Sequence, residues 1–298
     1  MTKNELLNKA LFCSATIHQP HALKAFLATE SLSQSIILDE AIWDQASKLM
    51  SNSEVLVSGT FSDFIEVPKL SDIRIQRILE RGIYPVAYEA LIQWHKKKGF
   101  DDIINNYVKI SASHNEYLSH NITILLAFNT LYPQLNKFQK IPFLERVTEF
   151  ITSTFGSKSA DVHLTQFQTV TFKELLAVSI EQPGFFGHNL ITLAWLMRCR
   201  GALGKDLLMA LNQNLYIQAT SPLEDSDDAV DLDIFSKSVG YESEEYFSQK
   251  IHTLVFGTCS NLHQITLADS LEYLWKQFPD NRESISRVTD YYGRMLEK

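Results

Sequence analysis

Apolar residues recur at spacings of three and four almost from one end of the chain to the other, and that period admits little besides helices. Leu6, Leu7, Ala10 and Leu11 form one such face between Lys3 and Cys13, and Leu23, Phe26 and Leu27 form a second after Pro20. Prolines and glycines supply the punctuation: Pro85 and Pro142 open helices, while Gly82, Gly99 and Gly156 close them. The expected fold class is therefore all-α, about a dozen helices packed as antiparallel helical hairpins, with no convincing pair of strands. One stretch departs from the period. EVLVSGTFSDFIEV, from Glu54 to Val67, mixes a β-like run with turn residues and reads as a small hairpin or, the preferred reading, as a loop with short helical pieces. The 298 residues suit a single helical domain. A subdomain boundary, if present, is expected near residues 157–171, in the turn-rich GSKSADVHLTQFQTVT.

Charge narrows the function classes. A formal net charge of -8 argues against a nucleic-acid partner, which needs a concentrated basic face. The one basic run, Lys96 to Lys98, reads as the solvated end of a helix. No apolar run reaches the length of a membrane span, so no membrane partner is expected. Cys13, Cys199 and Cys259 are odd in number and lack a CxxC pair, which fits a reducing cytoplasm.

The most informative local pattern is a pair of helix starts. Ser119-His120-Asn121-Ile122 and Gly187-His188-Asn189-Leu190 each follow an aromatic-rich turn and each lead into a dense apolar helix, 68 residues apart by their histidine numbers. The segment with Tyr246, Phe247, Ile251 and His252 reads as a looser third copy without the asparagine. A duplicated helical hairpin explains the pattern, and so does chance over four residues. A histidine at the mouth of an apolar helix needs a hydrogen-bond partner or loses solvation, so it invites explanation. His188 shares a helix face with Thr192, Trp195 and Cys199.

Other histidines carry less signal. His18 and His21 flank Pro20 and read as polar residues at a helix start. His252, Phe256, Cys259 and His263 fall on one stripe of a continuous helix, where His252 and His263 would stand roughly 16 Å apart, too far for one metal. Cys259 and His263 lack two further ligands at zinc spacing, so no metal is expected. The chain has no G-x-S-x-G elbow, Walker loop, G-x-G-x-x-G or H-E-x-x-H, and no Glu-x-x-His pair of the helical di-iron kind. An enzyme built on this chain would assemble its site from scattered residues, with histidines as the natural acid or base.

GFFGHNLITLAWLMRCRGAL resembles the glycine-aromatic-histidine helix of the questin oxidase-like family, and IHTLVFGTCSNLH is similar to that family's later histidine-bearing helix. The resemblance covers about residues 172–278. It implies a helical tailoring enzyme of secondary metabolism, an oxidoreductase that inserts oxygen with NADPH as reductant. Only His188, His252 and His120 are carried across as catalytic positions. The expectation is then an enzyme acting on a small hydrophobic, aromatic or polyketide-like molecule in a cavity that holds these three histidines. Asn121 and Asn189 would orient polar groups of the substrate, while Phe185, Phe186 and Trp195 would pack on a flat ring. The competing reading is a non-enzymatic helical-repeat interaction scaffold, whose histidines stabilise turns and whose aromatics are core.

Overall fold

The computed structural model describes residues 1–15, 20–35, 40–156, 169–257 and 261–297. His18, Cys259 and most of the expected subdomain boundary lie outside the described residues. The chain is 75% helical and all-α, with fifteen α-helices among the described residues. No described helix is long and apolar enough to cross a membrane.

Four hairpins organise the molecule. Each consists of an outer helix followed by an inner one: α1 (Lys3–Leu11) and α2 (Ala22–Ser35), α6 (Phe100–Ser113) and α7 (His120–Leu131), α9 (Phe172–Glu181) and α10 (His188–Cys199), α13 (Glu244–Phe256) and α14 (His263–Gln277). The inner helices pack in a closed ring, α2 on α7, α7 on α10, α10 on α14 and α14 on α2. They run in the same direction. Thr130, ten residues beyond the start of α7, lies 3.9 Å from Cys199, eleven beyond the start of α10.

Sequence decides which helices go inside. A helix that is apolar all round must be enclosed, whereas one with a single apolar stripe stays at the surface. Unbroken runs of eight or more buried residues mark the inner set: Ala22–Thr29, His120–Phe128, His188–Met197 and His263–Glu272. The remaining helices pack outside this ring, α4 against α5 and α8, and α12 against α15: α3 (Ala41–Ser53), α4 (Asp72–Glu80), α5 (Val86–Lys98), α8 (Lys140–Thr154), α11 (Lys205–Thr220), α12 (Leu232–Lys237) and α15 (Arg282–Leu296). A bidentate ion pair from Arg198 of α10 to the buried Asp269 of α14 ties two inner helices together.

The irregular stretch after Ser53 does form a strand. Its partner is remote: β2 (Glu54–Leu56) pairs antiparallel with β1 (Cys13–Ala15), Cys13 opposite Leu56 and Ala15 opposite Glu54. This ribbon carries Glu54 to the start of α2, where its carboxylate accepts hydrogen bonds from the backbone N–H of His21 at 2.5 Å and of Ala22 at 2.9 Å. The expected run from His252 to His263 is broken. Helix α13 ends at Phe256 and α14 begins afresh at His263, with Gly257 as the C-cap of α13.

A candidate metal centre at four helix starts

A histidine stands at the start of each inner helix, His21 just before α2 and His120, His188 and His263 as the first residues of α7, α10 and α14, and the ring geometry brings the four imidazoles together. His120 Nε2 lies 2.9 Å from His188 Nε2 and 3.1 Å from His21 Nε2. His263 completes the group, its ring 4.6 Å from those of both His21 and His188. The nitrogens of His21, His120 and His263 that face one another all lie within 4.8 Å. His120, His188 and His263 are buried, and His21 is partly so.

Backbone conformation aims two of these rings. Leu118 and Ser119 before α7, at φ 68° and 51°, and Phe186 and Gly187 before α10, at φ 44° and 71°, form left-handed pairs that turn the chain sharply into the helix. At Gly187 an added Cβ would stand 2.5 Å from Leu267 Cδ1 on α14, so a larger residue there would meet both a strained left-handed backbone and a displaced Leu267 side chain. Asparagines lock both turns. Asn189 Nδ2 donates to Gln182 O at 2.6 Å while its Oδ1 accepts from Gln218 Nε2 at 2.6 Å, and Asn121 Nδ2 donates to His114 O at 3.2 Å. These amide groups are bonded to the chain itself.

Hydrogen bonding fixes the tautomers. His188 Nδ1 faces the backbone oxygen of Phe185, which can only accept, so the proton sits on Nδ1 and a neutral ring presents a lone pair at Nε2. His263 Nδ1 likewise faces Asn261 Oδ1 at 2.6 Å, and its Nε2 has no partner. Burial, reinforced by the charge of Lys24, pushes the His188 pKa down to about 3. His120 and His263 are held well below the usual range, by burial first and then by His188 and the neighbouring charges.

An imidazole nitrogen has one in-plane direction and either donates once or accepts once. If His120 Nε2 donates to the His188 lone pair, it has nothing left for His21 at 3.1 Å. If it accepts from His21, two lone pairs face each other across 2.9 Å. Protons therefore cannot satisfy both contacts, whereas one cation can take all the lone pairs. A first-row metal binds imidazole at about 2.0–2.1 Å, which places adjacent ligand nitrogens about 3 Å apart, the separation His120 keeps from His188 and from His21. Nδ1 anchored on an oxygen and Nε2 turned inward is also how metal-ligating histidines are usually supported.

Of the expected site residues, His120 and His188 meet in this cluster. His252 does not: it is exposed in the middle of α13, its ring against Phe256 at 4.6 Å. Phe185 stacks on His188 at 5.7 Å, and Phe186 lies 5.9 Å from His263 with Tyr292 stacked behind it at 6.3 Å, so both phenylalanines wall the centre. Trp195 sits two turns along α10 from His188, under the Arg198 guanidinium at 5.9 Å. His21, His263 and Lys24 are the members that sequence reasoning missed. The available signal was a histidine at a helix start followed by a side-chain amide, which Asn261-Leu262-His263-Gln264 also carries. Gln264 Nε2 donates back to Leu254 O at 3.1 Å, as the asparagines do to their own loops.

No protein-family model matches the chain, and neither does any curated protein or solved structure.

Proposed function

We propose that the chain is a metal-dependent oxidoreductase that acts on a small hydrophobic molecule at the four-histidine centre. The observation that carries the reading is His120 Nε2 between two other Nε2 atoms at 2.9 and 3.1 Å, an arrangement that protons alone cannot satisfy. An all-imidazole set suits iron, copper, nickel or zinc, and of these iron and copper support redox chemistry with dioxygen as oxidant. Four neutral imidazoles would leave a bound metal its full charge, so it would supply a strong Lewis acid at the centre. Phe185 and Phe186 give the centre an apolar wall suited to a hydrophobic substrate. The resemblance of the α10 segment to questin oxidase-like helices supports oxidation as the reaction class.

The test is reconstitution. Protein stripped with a chelator is titrated separately with Fe2+, Cu2+, Zn2+ and Co2+ by calorimetry, and oxygen uptake is then followed with a panel of hydroxylated aromatic compounds. One equivalent of metal, lost in His120→Ala and retained in His252→Ala, is the expected result. A wild-type chain that takes up no metal stoichiometrically removes the reading.

A further inference from the structure

One buried group beside the centre has no partner. Lys24 lies one turn beyond His21 on the same face of α2, is 1% exposed, and its Nζ makes no hydrogen bond. Helix α2 packs against both α7 and α14, so Lys24 is enclosed within the ring whose helix starts carry the histidines, and its charge opposes protonation of His120, His188 and His263. A lysine amine is almost never enclosed without a partner, because desolvating it costs several kcal/mol, on the order of what a hydrogen-bonded ion pair returns.

We infer that Lys24 and the histidine cluster together form a binding site for a small singly charged anion, bound to the metal on one side and to the lysine ammonium on the other. The inference rests on the metal reading above and adds the ligand that completes it. Charge balance is the argument. A divalent cation on four neutral imidazoles, the ammonium, and the N-terminal ends of α2, α7, α10 and α14 all contribute positive potential at one point. Two carboxylates at the starts of α2 and α7 are bonded to backbone N–H groups there, Glu54 through one oxygen to His21 and Ala22 and Glu116 to Asn121. None of the four ligands is anionic. An incoming anion of two or three atoms supplies the missing charge, gives Lys24 Nζ its hydrogen bond and occupies the metal's remaining position.

Azide is the probe. The Co2+-loaded protein is titrated with azide in slightly acidic buffer and followed by its visible absorption, for wild type, Lys24→Met and Lys24→Gln. The two variants guard against a folding defect in either one, and helicity and Co2+ stoichiometry are measured for each. The expected result is azide binding to wild type that weakens about tenfold or more in both variants, with Co2+ binding retained. Equal azide affinity in wild type and variants overturns the inference, as does a Co2+ protein that binds no azide. A wild type that binds no Co2+ is a different outcome and removes the metal reading together with this one.

Discussion

Asn121 and Asn189 make the same hydrogen bond: each side-chain Nδ2 donates to the backbone oxygen seven residues upstream, His114 O at 3.2 Å and Gln182 O at 2.6 Å. Each bond closes the left-handed turn that delivers a histidine to the centre, so an amide one position after the histidine sets where its ring points. Removing the Asn189 amide leaves Gln182 O and Gln218 Nε2 without their partner. Asn189→Ala should therefore destabilise the chain by about 1–3 kcal/mol in urea denaturation. It should also weaken metal binding about tenfold, read by calorimetry, because the turn that holds His188 is loosened. Unchanged metal affinity would mean that the turn is held without the amide.

That relationship shows how far the sequence is legible. The dense apolar content of α7, α10 and α14 is visible in the residues, and it is what sends these helices to the middle. His120 and His188 stand out because a polar ring at the mouth of such a helix needs a partner. His21 does not stand out, because a histidine beside Pro20 fits any helix start, and its meeting with the others is a property of the ring. His263 is hidden differently: the apolar period runs on through Gly257, so the segment reads as one helix and the third echo falls on His252 instead of on His263 and Gln264. Lys24 lies outside the face formed by Leu23, Phe26 and Leu27, yet it is buried because α2 is enclosed all round. β2 has the composition of a strand, but its partner is some forty residues away, beyond any local signal.

The Arg198–Asp269 pair joins α10 to α14 below the centre, with Asp269 only 1% exposed and both of its oxygens engaged by the guanidinium. Removing one partner strands the other in the interior. Asp269→Ala should cost about 3–5 kcal/mol by urea or thermal denaturation, and the double variant Arg198→Met with Asp269→Leu should recover most of that loss. A single variant within about 0.5 kcal/mol of wild type would show that the pair contributes little to holding the ring.

Lys24 makes a prediction of opposite sign. Burial without a partner brings its pKa from 10.5 down to about 7, so folding works against the charged amine. Between those two values the unfolded chain binds the proton and the folded chain does not, so the penalty grows as pH falls from 10.5 towards 7. In the metal-free protein Lys24→Met should raise stability, by about 1–3 kcal/mol at neutral pH and by less near pH 10.5, measured by denaturant titration at both values. A loss of stability at neutral pH would mean that the amine has a partner in solution.

His188 gives the pH dependence its clearest reading. Its pKa is about 3 in the folded chain against 6.5 for an ordinary histidine, chiefly through burial. From pH 6.5 down to about 3 the unfolded state binds a proton that the folded state refuses, so the stability associated with this ring is complete above 6.5 and is lost with acid. His120 and His263, also lowered by burial, act in the same direction. Glu54, raised by burial from 4.5 to about 7, acts in the opposite one: its contribution is present below 4.5 and lost as pH rises towards 7. Glu145 and Glu149 are raised by burial as well and share that sign. A bare pH profile mixes these effects, so the comparison is the stability of metal-free wild type minus that of His188→Phe. That difference should fall as the solution is acidified from pH 6.5, by up to about 1.4 kcal/mol per pH unit. In Glu54→Gln, where one opposing group is gone, the wild-type-like loss between pH 6.5 and 4.5 should become steeper. A difference that stays flat or rises over this range would place a proton on His188 in the folded chain, and the inward-facing lone pair on which the metal centre depends would be lost.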